Sequence, residues 1–298
     1  MRGASARFGH VITAMVTPFT PDGAVDYNRA AEFASWLLAN GSDALVVNGT
    51  TGESPTTTLE EKVTLVSTLV QAVGKERIIA GAGGNNTAEV VELAKQSEEA
   101  GAGGILSVAP YYNKPSQEGL YRHFRTIAEA VSLPVILYNV PGRTITNVEP
   151  ATTKRLVRDV PNIVGTKEAS ANMAQVAEIV RITPEEFDIY SGDDGTLLPN
   201  LVVGGAGVIS VVSHLCGKDI AAVHNAWFAG DADGALRKFL PILPLVRAIF
   251  SAPSPSPLKW ALERIGQPVG GVRLPLVELS DSEQVVVETA LREYGLIS

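Results

Sequence analysis

The segment Asn162-Ile163-Val164-Gly165-Thr166-Lys167-Glu168 is a short apolar run that delivers a lysine to its far end. A strand covered on both faces reads as a near-continuous apolar segment. A cation at the rim of such a strand is partly stripped of water, and lost hydration favours the neutral amine. A neutral amine attacks a carbonyl carbon and an ammonium does not, so Lys167 has the type and setting of an imine-forming nucleophile. The same segment also reads as a rim lysine whose stem lies on apolar surface while its head reaches solvent.

Other apolar runs end in groups that would serve carbonyl chemistry on an anionic substrate. One ends in Asn48-Gly49-Thr50-Thr51-Gly52-Glu53-Ser54, another in Pro110-Tyr111-Tyr112-Asn113-Lys114-Pro115. A third carries Tyr138-Asn139-Val140-Pro141-Gly142-Arg143, and a fourth ends in Ser191-Gly192-Asp193-Asp194. An amine condenses with a carbonyl, a phenol moves protons, hydroxyls and backbone N–H groups hold a carboxylate, and an arginine fork holds a second one. Each piece has a plainer reading. The threonines could cap a helix, as could the aspartates. Tyr111 and Tyr112 could be wall aromatics, Tyr138 a satisfied core tyrosine, and Arg143 a solvated loop residue.

The elements that must position these groups follow from periodicity. β-Branched, apolar runs recur near Val11–Thr17, Ala44–Asn48, Ile78–Gly81, Gly104–Ala109, Pro134–Asn139, Asn162–Lys167, Phe187–Ser191 and Gly207–Val212. Helix-length segments separate them. Asp26 and Gly41 bracket Tyr27–Asn40, Thr58 with Glu61 predicts a capping box closed by Gly74, and Asn86 with Glu89 predicts another ending near Gly101. Ser170 is expected to open the helix after the lysine strand, and Thr20-Pro21-Asp22-Gly23 to form a turn. Eight strands alternating with helices predict an α/β fold, a (β/α)8 TIM barrel, with the site at the C-terminal strand ends. Residues 1–215 would form the barrel. Residues 216–298 would form a C-terminal helical extension packed on it in the same structural unit, broken by Ser251-Ala252-Pro253-Ser254-Pro255-Ser256-Pro257. A doubly wound sheet is the competitor, but neither glycine-rich stretch, 81–84 or 101–104, continues as a dinucleotide fingerprint.

Bulk properties narrow the partners. With 45% apolar and 19% charged residues, the 298-residue chain can bury a substantial core. A net charge of −8 disfavours nucleic acid or an anionic membrane as partner. Cys216 is the single cysteine, which fits a reducing cytoplasm and leaves no disulfide or cysteine-rich metal site. Met1–His10 lacks a long apolar core, so neither a secretory signal nor a membrane span is expected. His10, His123, His214 and His224 form no metal-ligand spacing, so no metal is expected, and His214 is assigned a structural role. The glycines at 204–207 leave open a phosphate cradle near the last strands, or simply a turning loop.

The motifs quoted above, joined by Thr13-Ala14-Met15-Val16-Thr17-Pro18-Phe19, Tyr138 through Thr144, and Arg273-Leu274-Pro275-Leu276, resemble the dihydrodipicolinate synthase family of pyruvate-dependent class I aldolases and lyases. The resemblance runs through nearly the whole chain. It implies a lyase, free of cofactors, that condenses pyruvate with L-aspartate 4-semialdehyde to 4-hydroxy-tetrahydrodipicolinate in lysine and diaminopimelate biosynthesis. By this resemblance Lys167 forms the pyruvate imine, Tyr138 shuttles protons, and Thr51 links Tyr138 to Tyr112. The equivalent of Tyr112 reaches in from a neighbouring subunit, and the family is commonly a tetramer built as a dimer of tight dimers. Thr50 and Thr51 would hold the pyruvate carboxylate and Arg143 the semialdehyde carboxylate. Gly192 and Ile209 would add main-chain contacts.

One departure stands out. Lysine-inhibited members carry polar, often histidine, positions where this chain has Leu59 and Lys62, whereas Asn85, Glu89 and Tyr111 of that regulatory pocket are retained. Weak or absent lysine feedback is therefore expected. Two further readings stay open: another aldolase of the family, acting on 2-keto-3-deoxy sugar acids, N-acetylneuraminate or 4-hydroxy-2-oxoglutarate, and a catalytically silent homologue that binds pyruvate.

Overall fold

The computed structural model describes residue 3 and residues 5–298. Eight strands close into a barrel in which every neighbouring pair is parallel and the last strand pairs with the first, Ile12 opposite Ile209. The strands are β1 Val11–Ala14, β2 Ala44–Val47, β3 Ile78–Gly81, β4 Gly104–Val108, β5 Val135–Asn139, β6 Ile163–Glu168, β7 Asp188–Ser191 and β8 Gly207–Ser210. Around them run α1 Tyr27–Ala39, α2 Leu59–Val73, α3 Thr87–Glu99, α4 Gln117–Glu129, the short α5 Pro141–Thr144, α6 Pro150–Asp159, α7 Met173–Ile182 and α8 Leu197–Val202. The extension holds α9 Ser213–Phe228, α10 Ala232–Phe239, α11 Ile242–Ile249, α12 Ser256–Arg264 and α13 Asp281–Tyr294. This is the (β/α)8 barrel with C-terminal helices expected from the sequence.

Alternation along the strands sorts the core into two layers. Ile12, Val46, Ile79, Leu106, Ile136, Tyr190 and Ile209 meet inside the barrel. Their neighbours Val11, Leu45, Ile78, Ile105, Val135, Ile189 and Val208 face the helices. Helix α1 answers with a stripe of Ala30, Phe33, Ala34 and Leu37, spaced three and four apart. Several strands are shorter than their apolar runs. Met15, Val16, Val211 and Val212 are buried in loops beyond the strand ends, so their hydrophobicity reports burial without strand pairing.

The capping box at Thr58 and Glu61 forms as expected. The one at Asn86 does not: its side chain accepts from Ala88 N, and Glu89 takes the Asn86 side-chain amide instead of the backbone N–H. Nor does Ser170 cap α7. That cap is Asn172, which accepts from Gln175 N, while Ser170 Oγ supports the turn before it. The glycines at 204–207 lead into the start of β8, at the barrel end opposite the C-terminal strand ends, which removes the phosphate reading. Among the described residues no helix is long and apolar enough to cross a membrane.

One irregularity decides where the lysine points. Val135 pairs with Ile163, but Ile136 pairs with Gly165, so β6 carries an extra residue against β5. In a strand a one-residue shift exchanges the two faces. After the shift, Lys167 stands opposite Tyr138, whose side chain belongs to the barrel interior. Without it, the alternation begun at the helix-facing Ile163 would turn position 167 towards the helices.

Candidate active site

Lys167 is 5% exposed and Tyr138 9% exposed, and the Lys167 Nζ lies 4.3 Å from the centre of the Tyr138 ring. Gly192, at the end of β7, makes room for the amine's stem: a Cβ there would stand 3.0 Å from Lys167 Cγ and 3.1 Å from Cε. No carboxylate pairs with the Lys167 amine among the described residues. The adjacent Glu168 turns elsewhere, accepting from the Asn139 side-chain amide at 3.0 and 3.1 Å and from Ser170 N at 2.9 Å.

Two cavities meet at this amine. The larger, about 350 Å³, is lined by Thr50, Thr51, Tyr138 and Lys167 together with Asn48, Lys62, Asn85, Glu89 and Tyr111. The smaller, about 170 Å³, shares Thr50, Thr51, Tyr138 and Lys167 and adds Arg143, Gly192, Asp193, Val211, Phe250 and Ser254. The threonines arrive on the loop after β2, where Asn48 and Glu53 both adopt left-handed backbone. Arg143 is an exposed cation on the short helix α5. An enclosed amine, an adjacent phenol, two threonines and an arginine can together hold a small ketoacid and a second anionic reactant.

The other expected residues are placed differently. Ile209 is buried in the inner barrel layer and lines neither cavity. Tyr112 is 87% exposed, with φ of +72°, and also lines neither cavity. Its loop is held by Asn113 Nδ2 donating to Asn85 O and by Asn85 Nδ2 donating to Tyr111 O, so the phenol projects away from this chain's own site. Leu59 is exposed and lines neither cavity, whereas Lys62 lines the larger one and donates to Thr57 O. Burial lowers the Lys62 pKa below the ordinary lysine value, against an opposing pull from Glu61.

His214 is structural, as expected. Val16 N donates to its Nε2, so Nδ1 carries the proton and donates to Val211 O at 2.7 Å. Phe250 and Ser254 carry no local signal, since they come from the extension some eighty residues past β6. Asp194, whose plainer sequence reading is a helix cap, is buried and accepts from Ser210 Oγ at 2.5 Å and from Val211 N and Val212 N. It thereby fixes the loop after β8, and burial raises its pKa despite those bonds. Among the described residues no group of three or more His, Cys, Asp or Glu side chains could hold a metal ion.

The Dihydrodipicolinate synthetase family model matches residues 7–294. The chain belongs to this family. Among similar curated members, the 4-hydroxy-tetrahydrodipicolinate synthase of Symbiobacterium thermophilum is 53% identical over 291 residues, 97% of this chain and 99% of that protein. The enzyme of the same name from Bacillus subtilis is 48% identical, covering 96% and 99% of the two chains. Among solved structures of the family, dihydrodipicolinate synthase from Cyanidioschyzon merolae with lysine bound superposes with a TM-score of 0.96. It is 44% identical, with 98% of this chain and 100% of that one covered.

Proposed function

We propose that the chain is a 4-hydroxy-tetrahydrodipicolinate synthase that joins pyruvate to L-aspartate 4-semialdehyde through an imine at Lys167. The observation that carries this is the buried amine of Lys167 where two cavities meet, beside the Tyr138 ring. The Lys167 nitrogen attacks the pyruvate ketone and water leaves, giving an imine. Removal of a methyl proton then gives an enamine, whose carbon attacks the aldehyde. The semialdehyde's own amine finally displaces Lys167 and closes the ring. Tyr138 is the proton carrier, Thr50 and Thr51 hold the pyruvate carboxylate, and Arg143 receives the semialdehyde carboxylate in the smaller cavity. Gly192 lets the lysine stem pass and offers main-chain contacts, whereas Ile209 packs in the barrel layer beneath the site.

The exposure of Tyr112 supports a paired assembly in which this phenol completes a second copy's relay through Thr51. Exposed Val202 and Leu236 on the mutually contacting α8 and α10, with Leu240 at the C-cap of α10, support a second interface, hence a dimer of dimers. The enzyme would act in the cytoplasm. We also propose that residues 1–215 and 216–298 form one structural unit, because Lys259 on α12 lies 2.7 Å from Glu53 in the loop after β2 and Arg273 pairs with Glu61 on α2.

The test is reduction with borohydride in the presence of pyruvate, followed by peptide mapping. A reduced pyruvate adduct on Lys167 is expected, together with pyruvate consumption that depends on semialdehyde. No adduct, or one at another lysine, would overturn the assignment. Cleavage of keto-acid aldols in place of condensation would transfer the chain to the family's aldolases.

A further inference from the structure

The loop that carries Thr50 and Thr51 ends in a carboxylate that faces away from the site. The Glu53 side chain is fully buried, with one oxygen 2.7 Å from Lys259 Nζ on α12 and the other accepting from Arg273 N at 2.8 Å. Lys259 is itself buried, donates to Gly271 O at 2.7 Å and stands 4.1 Å above the Phe19 ring. The Arg273 guanidinium continues the grip: it donates to Gly23 O and Thr56 O and pairs with both Glu61 oxygens. The loop's backbone is held open to this partner by the left-handed turn at Glu53, whose N–H returns to Thr50 O.

We infer that Glu53 and Lys259 are positioning residues, by which the C-terminal extension sets the Thr50 and Thr51 hydroxyls against Lys167 and Tyr138. Two charges taken out of water together add little net stability. What they fix is geometry, because the carboxylate reaches both partners only with the turn at Glu53 formed. Burial draws Lys259 down to about 8, against the pull of Glu53, so the amine is still largely charged at neutral pH. The inference rests on the proposed function for its kinetic readout, since Thr50 and Thr51 are there taken to hold the pyruvate carboxylate.

The experiment compares Glu53→Gln, Lys259→Met, the double variant, and Lys259→Arg, which keeps the charge. Amide hydrogen exchange across residues 49–57 is measured by mass spectrometry, alongside pyruvate KM, kcat and borohydride trapping. Glu53→Gln and Lys259→Met are each expected to raise exchange in that loop and to raise pyruvate KM by roughly ten- to a hundredfold. The Lys167 adduct should still form at saturating pyruvate. The double variant, with no unpaired charge, should fold even where a single variant does not, and should keep the exposed loop and high KM. Lys259→Arg should recover much of the wild-type KM. Unchanged loop exchange in folded Glu53→Gln, Lys259→Met or the double variant overturns the inference, as does an unchanged pyruvate KM in those variants where the wild type forms the adduct. Absence of the adduct in the wild type strikes the proposed function instead, and the exchange data then judge the clamp alone.

Discussion

Replacing Tyr138 by phenylalanine removes one oxygen from the wall shared by the two cavities and leaves the ring under Lys167 in place. A positioned proton carrier contributes about a hundred- to ten-thousandfold, so kcat should fall by that order while the circular dichroism spectrum is retained. Full turnover in the variant would remove the phenol from the proton path. Arg143→Ala should act on the other reactant: the KM for the semialdehyde rises while pyruvate trapping at Lys167 is unaffected, because a carboxylate loses its forked partner. Semialdehyde kinetics equal to wild type would cancel that role. Lys62 bears on regulation. It lines the same cavity as Glu89, Asn85 and Tyr111, and a cationic ligand there meets a cation. Titration calorimetry with lysine should therefore show weak or no binding and no inhibition, and tight inhibitory binding would refute this reading. The amine, phenols and arginine are legible in the sequence through the motifs that surround them in order, since each alone also reads as a rim cation, a wall or core aromatic or a loop residue. Phe250, Ser254 and the Glu53–Lys259 pair are not, because only folding brings residues two hundred positions apart together.

Strand centres are legible in the sequence because a short β-branched apolar run suits a strand buried on both faces and little else. Strand ends are not, since buried loop residues such as Val211 and Val212 look the same as strand residues. The extra residue in β6 is also invisible, because shifting the register by one changes no composition. It nevertheless turns Lys167 into the barrel. Gly165 sits at that shift, paired with Asp188, and a Cβ there would lie 2.7 Å from Asp188 O. Gly165→Ala should therefore force β6 and β7 apart two residues before the nucleophile. Overpacking of this kind costs about 1–3 kcal/mol. The expected result is a lower Tm with a kcat loss of roughly tenfold or more, since small displacements of a reacting group are costly. A variant with wild-type Tm and kcat would show that the register does not depend on the absence of that side chain.

Three histidines make the whole molecule acid-sensitive. His123 on α4, and His214 and His224 on α9, are buried, and burial draws each to about 4. In the unfolded chain a histidine titrates near about 6.5. Between these values the unfolded chain binds protons that the folded chain does not, so stability rises with pH there. Their contribution is complete above about pH 6.5 and drains away as pH falls towards 4. Asp194 and Asp188, raised by burial, oppose the loss, because the folded chain holds their protons to higher pH than the unfolded chain does. The sensitive groups lie on both sides of position 216, His123 and His214 before it and His224 after it. If the barrel and its extension are one unit, the acid effect must appear as a single transition that moves, not as one part melting first. Calorimetry at fixed protein concentration should give one endotherm, nearly constant from pH 8 to 7, with Tm dropping steeply from about 6.5 to 4.5. His224→Gln should flatten that drop by removing one of the three protons. Two separable endotherms would divide the chain into independent units. A Tm that stays level down to pH 4.5 would show that the buried imidazoles do not govern acid stability.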